Sequence, residues 1–247
     1  MEECDLAFTR GNTAIQSALS ESGGNGGRAS TFASFKSGSS YKVRINSLDD
    51  VVGYEAASVF KVFDTTPVEK RSLYHKAAEL LYQDAKNAKD ESTAEAIRKQ
   101  AYLVKPKPRY ILAAIDLETG EKLYVDLTKN QAKAVIAVVQ KKAKKLDSLA
   151  FELSKTGEST STAVSLTQLD LEDELDAKEL ENFEKSKGVE FADEDFEALL
   201  QYKGEDEQLD DLYQFDRKLA DRVAGKPSVN ASPTQADEDI DEDSLPF

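Results

Sequence analysis

Tryptophan is absent from the 247 residues, and histidine, cysteine and methionine occur once each. A lone cysteine, Cys4, excludes an intramolecular disulfide. With His75 as its only companion it excludes a structural zinc site of the Cys/His type. A single histidine also removes most histidine-based triads and every two-histidine metal site. Neither a nucleophile elbow nor a Walker motif occurs. The Gly-rich stretch 21–30, ESGGNGGRAS, has no strand before it and no Gly-Lys-Ser after it, so it reads as a linker rather than a phosphate loop. No apolar run reaches the roughly 18 residues a membrane-crossing helix needs. Met1-Glu2-Glu3-Cys4-Asp5 is acidic where a secretory leader is basic. These absences lead us to expect a cytoplasmic, non-enzymatic protein with no metal, no cofactor and no membrane partner.

Charge is abundant and unevenly placed. The formal net charge is −15, which by itself argues against a nucleic-acid ligand. Residues 1–155 carry 24 Lys+Arg against 20 Asp+Glu, a net of +4, whereas residues 156–247 carry 8 against 27, a net of −19. A basic body joined to an acidic arm suits controlled binding to a polyanion.

Along the chain, residues 1–20 read as a short helix before the Gly-rich linker. Tyr41-Lys42-Val43-Arg44-Ile45 alternates, with Tyr41, Val43 and Ile45 on one face of a strand and Lys42 and Arg44 on the other. Residues 51–63, β-branched and aromatic, give one or two more strands. Thr66-Pro67-Val68-Glu69 opens a helix to about residue 88, and a second helical segment continues to about 102. The prolines of Lys105-Pro106-Lys107-Pro108-Arg109 hold three cations on an extended segment. Tyr110–Asp116 is a buried strand, and the turn Glu118–Glu121 returns the chain as Lys122–Leu127. Thr128 and Gln131 form a capping box for a helix to about Lys145, with an apolar stripe of Ala132, Val135, Ile136 and Val139. Phe151–Leu153 and Ala163–Leu166 are short strands about a Lys155-Thr156-Gly157 turn. Residues 169–224 read as acidic helices, and residues 225–247 as a disordered tail that ends DEDIDEDSLPF.

His75, between Tyr74 and Lys76, reads as a solvated helical histidine. The carboxylate runs read as solvated surface rather than as a two-metal site. Non-specific binding of single strands needs cations along a groove and flat rings for the bases. The body interleaves them: Lys36 after Phe35, Tyr41 with Lys42 and Arg44, Tyr54, Lys61 between Phe60 and Val62, Tyr102 with Lys105, Lys107 and Arg109 before Tyr110, and Lys122 with Tyr124. Strand aromatics usually form core, and Tyr suits a wet edge better than Phe. Lys141-Lys142-Ala143-Lys144-Lys145 suits the negative end of its helix, with contact to a nucleic-acid backbone as the alternative. In the tail, Asp241, Glu242 and Asp243 precede Leu245-Pro246-Phe247. The acids steer this tip toward basic surfaces, and its terminal ring and carboxylate fit an apolar pocket rimmed by cations.

The terminus Asp241–Phe247 resembles the acidic tip of bacterial single-stranded DNA-binding proteins. Tyr110–Lys145 and Phe151–Gly157 resemble phage single-stranded DNA-binding proteins. The resemblance implies an OB fold, here an OB-like β-barrel with helical insertions in an α+β chain. The expected organisation is an N-terminal segment and linker over 1–30, a DNA-binding core over 31–168, an acidic helical extension over 169–224 and a tail over 225–247. The resemblance also implies roles in phage DNA replication, recombination and repair within the bacterial cytoplasm, with the tip recruiting replication and recombination proteins. The absence of Cys/His ligands departs from the zinc-containing helix-destabilising proteins, and the helical insertion and missing tryptophan are further departures. The competing readings are an acidic interaction or scaffold protein that does not touch DNA, and a carboxylate-based metal nuclease.

Overall fold

A computed structural model describes residues 9–10, 32–60, 62–63, 71–158, 161–200 and 203–226. The expected N-terminal helix, the Gly-rich linker, the Thr66–Glu69 helix start, Lys61 and the whole acidic tip lie outside the described residues.

The described strands are β1 (Thr9–Arg10), β2 (Ser40–Arg44), β3 (Val51–Ala57), β4 (Val62–Phe63), β5 (Lys107–Asp116), β6 (Lys122–Thr128), β7 (Ala150–Thr156) and β8 (Ala163–Leu169). All described pairings are antiparallel. The sheet order is β1-β3-β5-β2-β7-β8, with β4 added beside β3 and β6 beside β5. Long β5 organises it. One edge carries β6 from Arg109 to Ile115. The other carries β3 from Lys107 to Leu112 and then β2 at Ile115 and Asp116. Among the described residues the two ends of this path do not pair, so the described sheet is open and shows no barrel closure. The β7–β8 hairpin turns at Gly157 with φ +84°, where a Cβ would collide with the Ser161 carbonyl oxygen.

The proline segment is extended as expected, but Lys107, Pro108 and Arg109 form the start of β5, and Lys107 and Arg109 are buried there. Pro108 sits beyond the last β5–β6 pair, Arg109↔Thr128, where only β3 flanks the strand. A residue without an N–H is tolerated there.

Helices α1 (Leu73–Lys86) and α2 (Glu91–Val104) form the insertion. His75 is not solvated as expected. Its Nδ1 accepts from the Ser72 backbone N–H at 3.3 Å, and its Nε2 lies 3.2 Å from Glu55 Oε2. The α1 start at Leu73 places the ring over its own cap and beside β3. Helix α3 (Lys129–Lys142) begins at the Thr128–Gln131 capping box and buries Ala132, Val135, Ile136 and Val139, as its stripe predicts. Its apolar face covers one side of the sheet, against Val43, Tyr110, Leu112, Val125 and Phe151.

The acidic segment holds α4 (Ala177–Lys185), α5 (Asp193–Glu197), α6 (Glu205–Phe215) and α7 (Arg217–Val223). It is packed into the body rather than set apart from it. Phe191, Phe196, Leu199 and Leu200 fill a core with Val52, Tyr54, Ile111, Ala113 and Ile115 on the sheet side opposite α3. Phe183 joins Leu117, Ala150, Leu169 and Leu175 in a smaller cluster. Leu212, Leu219 and Val223 pack on Tyr74, Leu81, Ala101 and Val104 of the insertion. The central strand is therefore covered on both faces, which explains its unbroken apolar run.

Candidate nucleic-acid interface

Strand alternation sorts the candidate residues between two faces. Tyr54 pairs with Arg109, Arg44 with Ile115, Ile115 with Lys122 and Ala113 with Tyr124. Cross-strand partners share a face, and alternate residues along a strand share it too. Lys42, Arg44, Tyr54, Lys107, Arg109, Lys122 and Tyr124 thus gather on the side away from α3. Tyr41 and Tyr110 point to the α3 side. Tyr110 is fully buried in that core, where its ring meets no base. Tyr41 is half-buried and its hydroxyl donates to the Ser34 carbonyl at 2.9 Å.

The gathered face is occupied by the chain's own acidic segment. Lys42 Nζ donates to Glu179 Oε2 at 2.7 Å and to the Glu174 carbonyl at 2.8 Å. Lys122 Nζ lies 2.7 Å from Asp195 Oδ2. The Tyr124 ring meets Phe191 and Phe196 edge-on, with centroids 5.8 and 6.0 Å away. Arg44 is almost wholly enclosed. It donates to the Phe183 carbonyl at 2.7 Å and the Asp147 carbonyl at 2.8 Å, and its guanidinium lies 4.6 Å from the Phe183 ring centroid. Arg44 is thereby a clamp on the C-terminal end of α4 rather than a phosphate ligand. Burial lowers its pKa, against the opposing pull of Asp147 and Glu184.

Arg109 and Tyr54 also serve the interior. Both meet Asp126: Arg109 Nε at 2.9 Å with a second, closer contact from its NH2, and the Tyr54 hydroxyl at 2.7 Å. Burial opposes the Arg109 charge, but the Asp126 carboxylate reverses the balance and raises its pKa. Burial first, and Asp126 second, push the Tyr54 pKa well up. Lys107 is 3% exposed and places its ammonium 3.4 Å from the Tyr102 ring centroid. Tyr102, Lys105 and Lys36 lie at the surface.

Composition and motif missed the partners of this face. Asp126 was findable, since Lys122, Tyr124 and Asp126 follow the period of two. Glu179 and Asp195 carried only a diffuse signal, the charge opposition between the two parts of the chain. Among the described residues no group of three or more His, Cys, Asp or Glu side chains is placed to hold a metal ion, and no helix is long and apolar enough to cross a membrane.

The tyrosines give the site a measurable alkaline signature. Burial, then Asp195, pushes the Tyr124 pKa up to about 12. A raised tyrosine pKa means that the fold favours the protonated phenol. That contribution to stability is complete below the ordinary pKa of about 10 and is lost as pH climbs toward about 12. A spectrophotometric tyrosinate titration is expected to show steps well above pH 10 that Tyr54→Phe and Tyr124→Phe each delete. Variants that leave the titration curve above pH 10 unchanged would contradict the assignment.

Compared with known proteins, the chain matches no family model, no curated protein and no solved structure.

Proposed function

We propose that the protein binds single-stranded DNA without sequence preference during phage DNA replication, recombination and repair. In this reading its C-terminal tip, Asp241, Glu242 and Asp243 with Leu245, Pro246 and Phe247, recruits replication and recombination proteins. The observation that supports it best is the occupant of the cation-and-tyrosine face. A carboxylate on Lys42, a carboxylate on Lys122 and rings on Tyr124 are the contacts that phosphates and bases make with a single-strand site. The buried rings stay in place, because exposing Phe183 and Phe196 costs about 1.5–3 kcal/mol each. The strand instead replaces the carboxylates at the rim, where the Lys42 and Lys122 side chains are each 37% exposed. Arg44, Tyr54, Lys107, Arg109, Tyr110 and Tyr124 support the fold and leave the list of contacts.

Anisotropy titration of labelled oligo-dT with the full chain tests this reading. Binding that weakens steeply with salt is expected. The pair Glu179→Gln and Asp195→Asn keeps the capping hydrogen bonds of α4 and α5 and removes both competing charges. It is expected to tighten binding about 2- to 30-fold, from about 0.2–1 kcal/mol per partly exposed pair. A chain that ignores oligo-dT in dilute buffer sinks the proposal.

One observation favours a second reading. The cations of the covered face have partners within the chain, so the face is satisfied without DNA. An acidic interaction protein whose basic strands anchor its own helices fits that fact. It predicts a flat oligo-dT titration together with tip-dependent capture of a partner.

A further inference from the structure

In a chain with 47 acidic residues, the twenty-residue stretch from Leu127 to Leu146 contains none, and it contains six lysines. The described structure concentrates four of them at one place. Lys141 and Lys142 close α3, and Lys144 and Lys145 lie on the 3₁₀ segment Ala143–Ser148 that follows. Lys141, Lys144 and Lys145 are exposed. Lys142 donates to the neutral amide oxygen of Gln168 on β8 at 2.7 Å. Two lysines on other helices sit beside carboxylates, Lys185 beside Glu181 and Lys99 beside Glu95.

The helix dipole favours cations in this last turn, but only by about 0.3–1 kcal/mol and within that turn. Lys141 lies on α3 and Lys145 on the 3₁₀ segment, and like charges this near one another in the chain repel. Lys144 and Lys145 lie beyond the last turn of α3, so the helix end does not account for them. A polyanion relieves that repulsion and releases its own counterions. The cluster also lies on the sheet side covered by α3, whereas Phe191–Leu200 of the acidic segment cover the other side. Arg44 ties Asp147, at the end of the 3₁₀ segment, to Phe183 of α4, and Lys141, Lys144 and Lys145 remain exposed beside that junction.

We propose that Lys141, Lys144 and Lys145, with Lys142 braced on Gln168, form a phosphate-binding track for the backbone of single-stranded nucleic acid. The track works while the acidic segment remains docked. It holds phosphates only and has no ring for a base, so it adds affinity and salt dependence without sequence preference. The inference rests on the DNA-binding reading above and adds to it a second contact surface.

The test uses the full chain and its triple variant Lys141→Gln, Lys144→Gln, Lys145→Gln, each change being at an exposed position. Labelled oligo-dT is titrated over a range of salt concentrations, with thermal melts to compare folding. The slope of log K against log salt is expected to become shallower by about 2, three contacts at about 0.7 each for single strands, and low-salt affinity to fall at least tenfold. The charge-reversed Lys→Glu triple should bind more weakly again. A wild-type slope and affinity in a folded triple variant overturns the track but leaves the DNA-binding reading standing. Tighter binding by the triple variant also overturns it, and assigns the lysines to the chain's own acidic residues. A wild-type chain that does not bind oligo-dT overturns both.

Discussion

A chain ending at Asp170 is expected not to fold. Its loss would be more than electrostatic. Phe183, Phe191, Phe196, Leu199 and Leu200 are buried on the β-sheet, and Leu212, Leu219 and Val223 are buried on the helical insertion. At about 1.5–3 kcal/mol per buried apolar side chain, these eight supply a gross contribution of about 12–24 kcal/mol. The whole stability of a domain is about 5–15 kcal/mol. Ordering the segment has an entropic cost that offsets part of this, yet the apolar surface left behind on β3, β5, α1 and α2 would still face water. Circular dichroism of the 1–170 fragment should lack a cooperative melt, and a dye for exposed apolar surface should bind it. A sharp two-state melt would show that the body is self-sufficient. Phe196→Ala in the full chain makes the same point more gently, with an expected loss of about 3–5 kcal/mol. DNA binding is accordingly measured on the full chain, where a null result speaks about binding rather than folding.

Asp126→Ala should be the most damaging single charge change. It strands the Arg109 guanidinium in the interior and takes the acceptor from the Tyr54 hydroxyl. Breaking a buried ion pair from one side costs about 3–5 kcal/mol. For a domain of this size that lowers the melting temperature by about 6–20 °C. Replacing the whole group, as Tyr54→Phe, Arg109→Met and Asp126→Leu together, should recover most of the loss, because apolar side chains of similar volume satisfy the same space. The triple replacement also separates two roles. If Arg109 is an internal brace, the repacked protein binds oligo-dT like the wild type. A large loss of binding in a stably folded triple variant would return Arg109 and Tyr54 to the interface.

Local order was well written in the sequence. The alternation at 41–45 put Lys42 and Arg44 on the face opposite Val43, and the structure agrees. The Thr128–Gln131 box and the stripe from Ala132 to Val139 gave the helix its start and its buried side. What covers the face away from α3 was not written there, because the answer comes from residues far along the chain. Lys122 reads as a surface cation until Asp195 arrives from 73 residues away. Arg109, framed by prolines and lysines, reads as part of an exposed basic track. Its strand lies in the middle of the sheet, and Asp126 neutralises it there. The expected barrel came from resemblance, and closure depends on edge pairing that no local pattern encodes. His75 shows the same limit on a smaller scale, since its ring is claimed by a cap and by Glu55, not by solvent.

The packing of α1 and α2 against α6 and α7 has a consequence for biosynthesis. Leu81 and Val104 leave the ribosome more than a hundred residues ahead of Leu212 and Val223, the side chains that finally cover them. At about 5–20 residues per second, the hairpin of helices waits roughly 5–20 s with its apolar stripe uncovered. During that interval the uncovered stripe is exposed to aggregation, and slowing translation between the codons for Val104 and Leu212 should raise the share of nascent chains that aggregate.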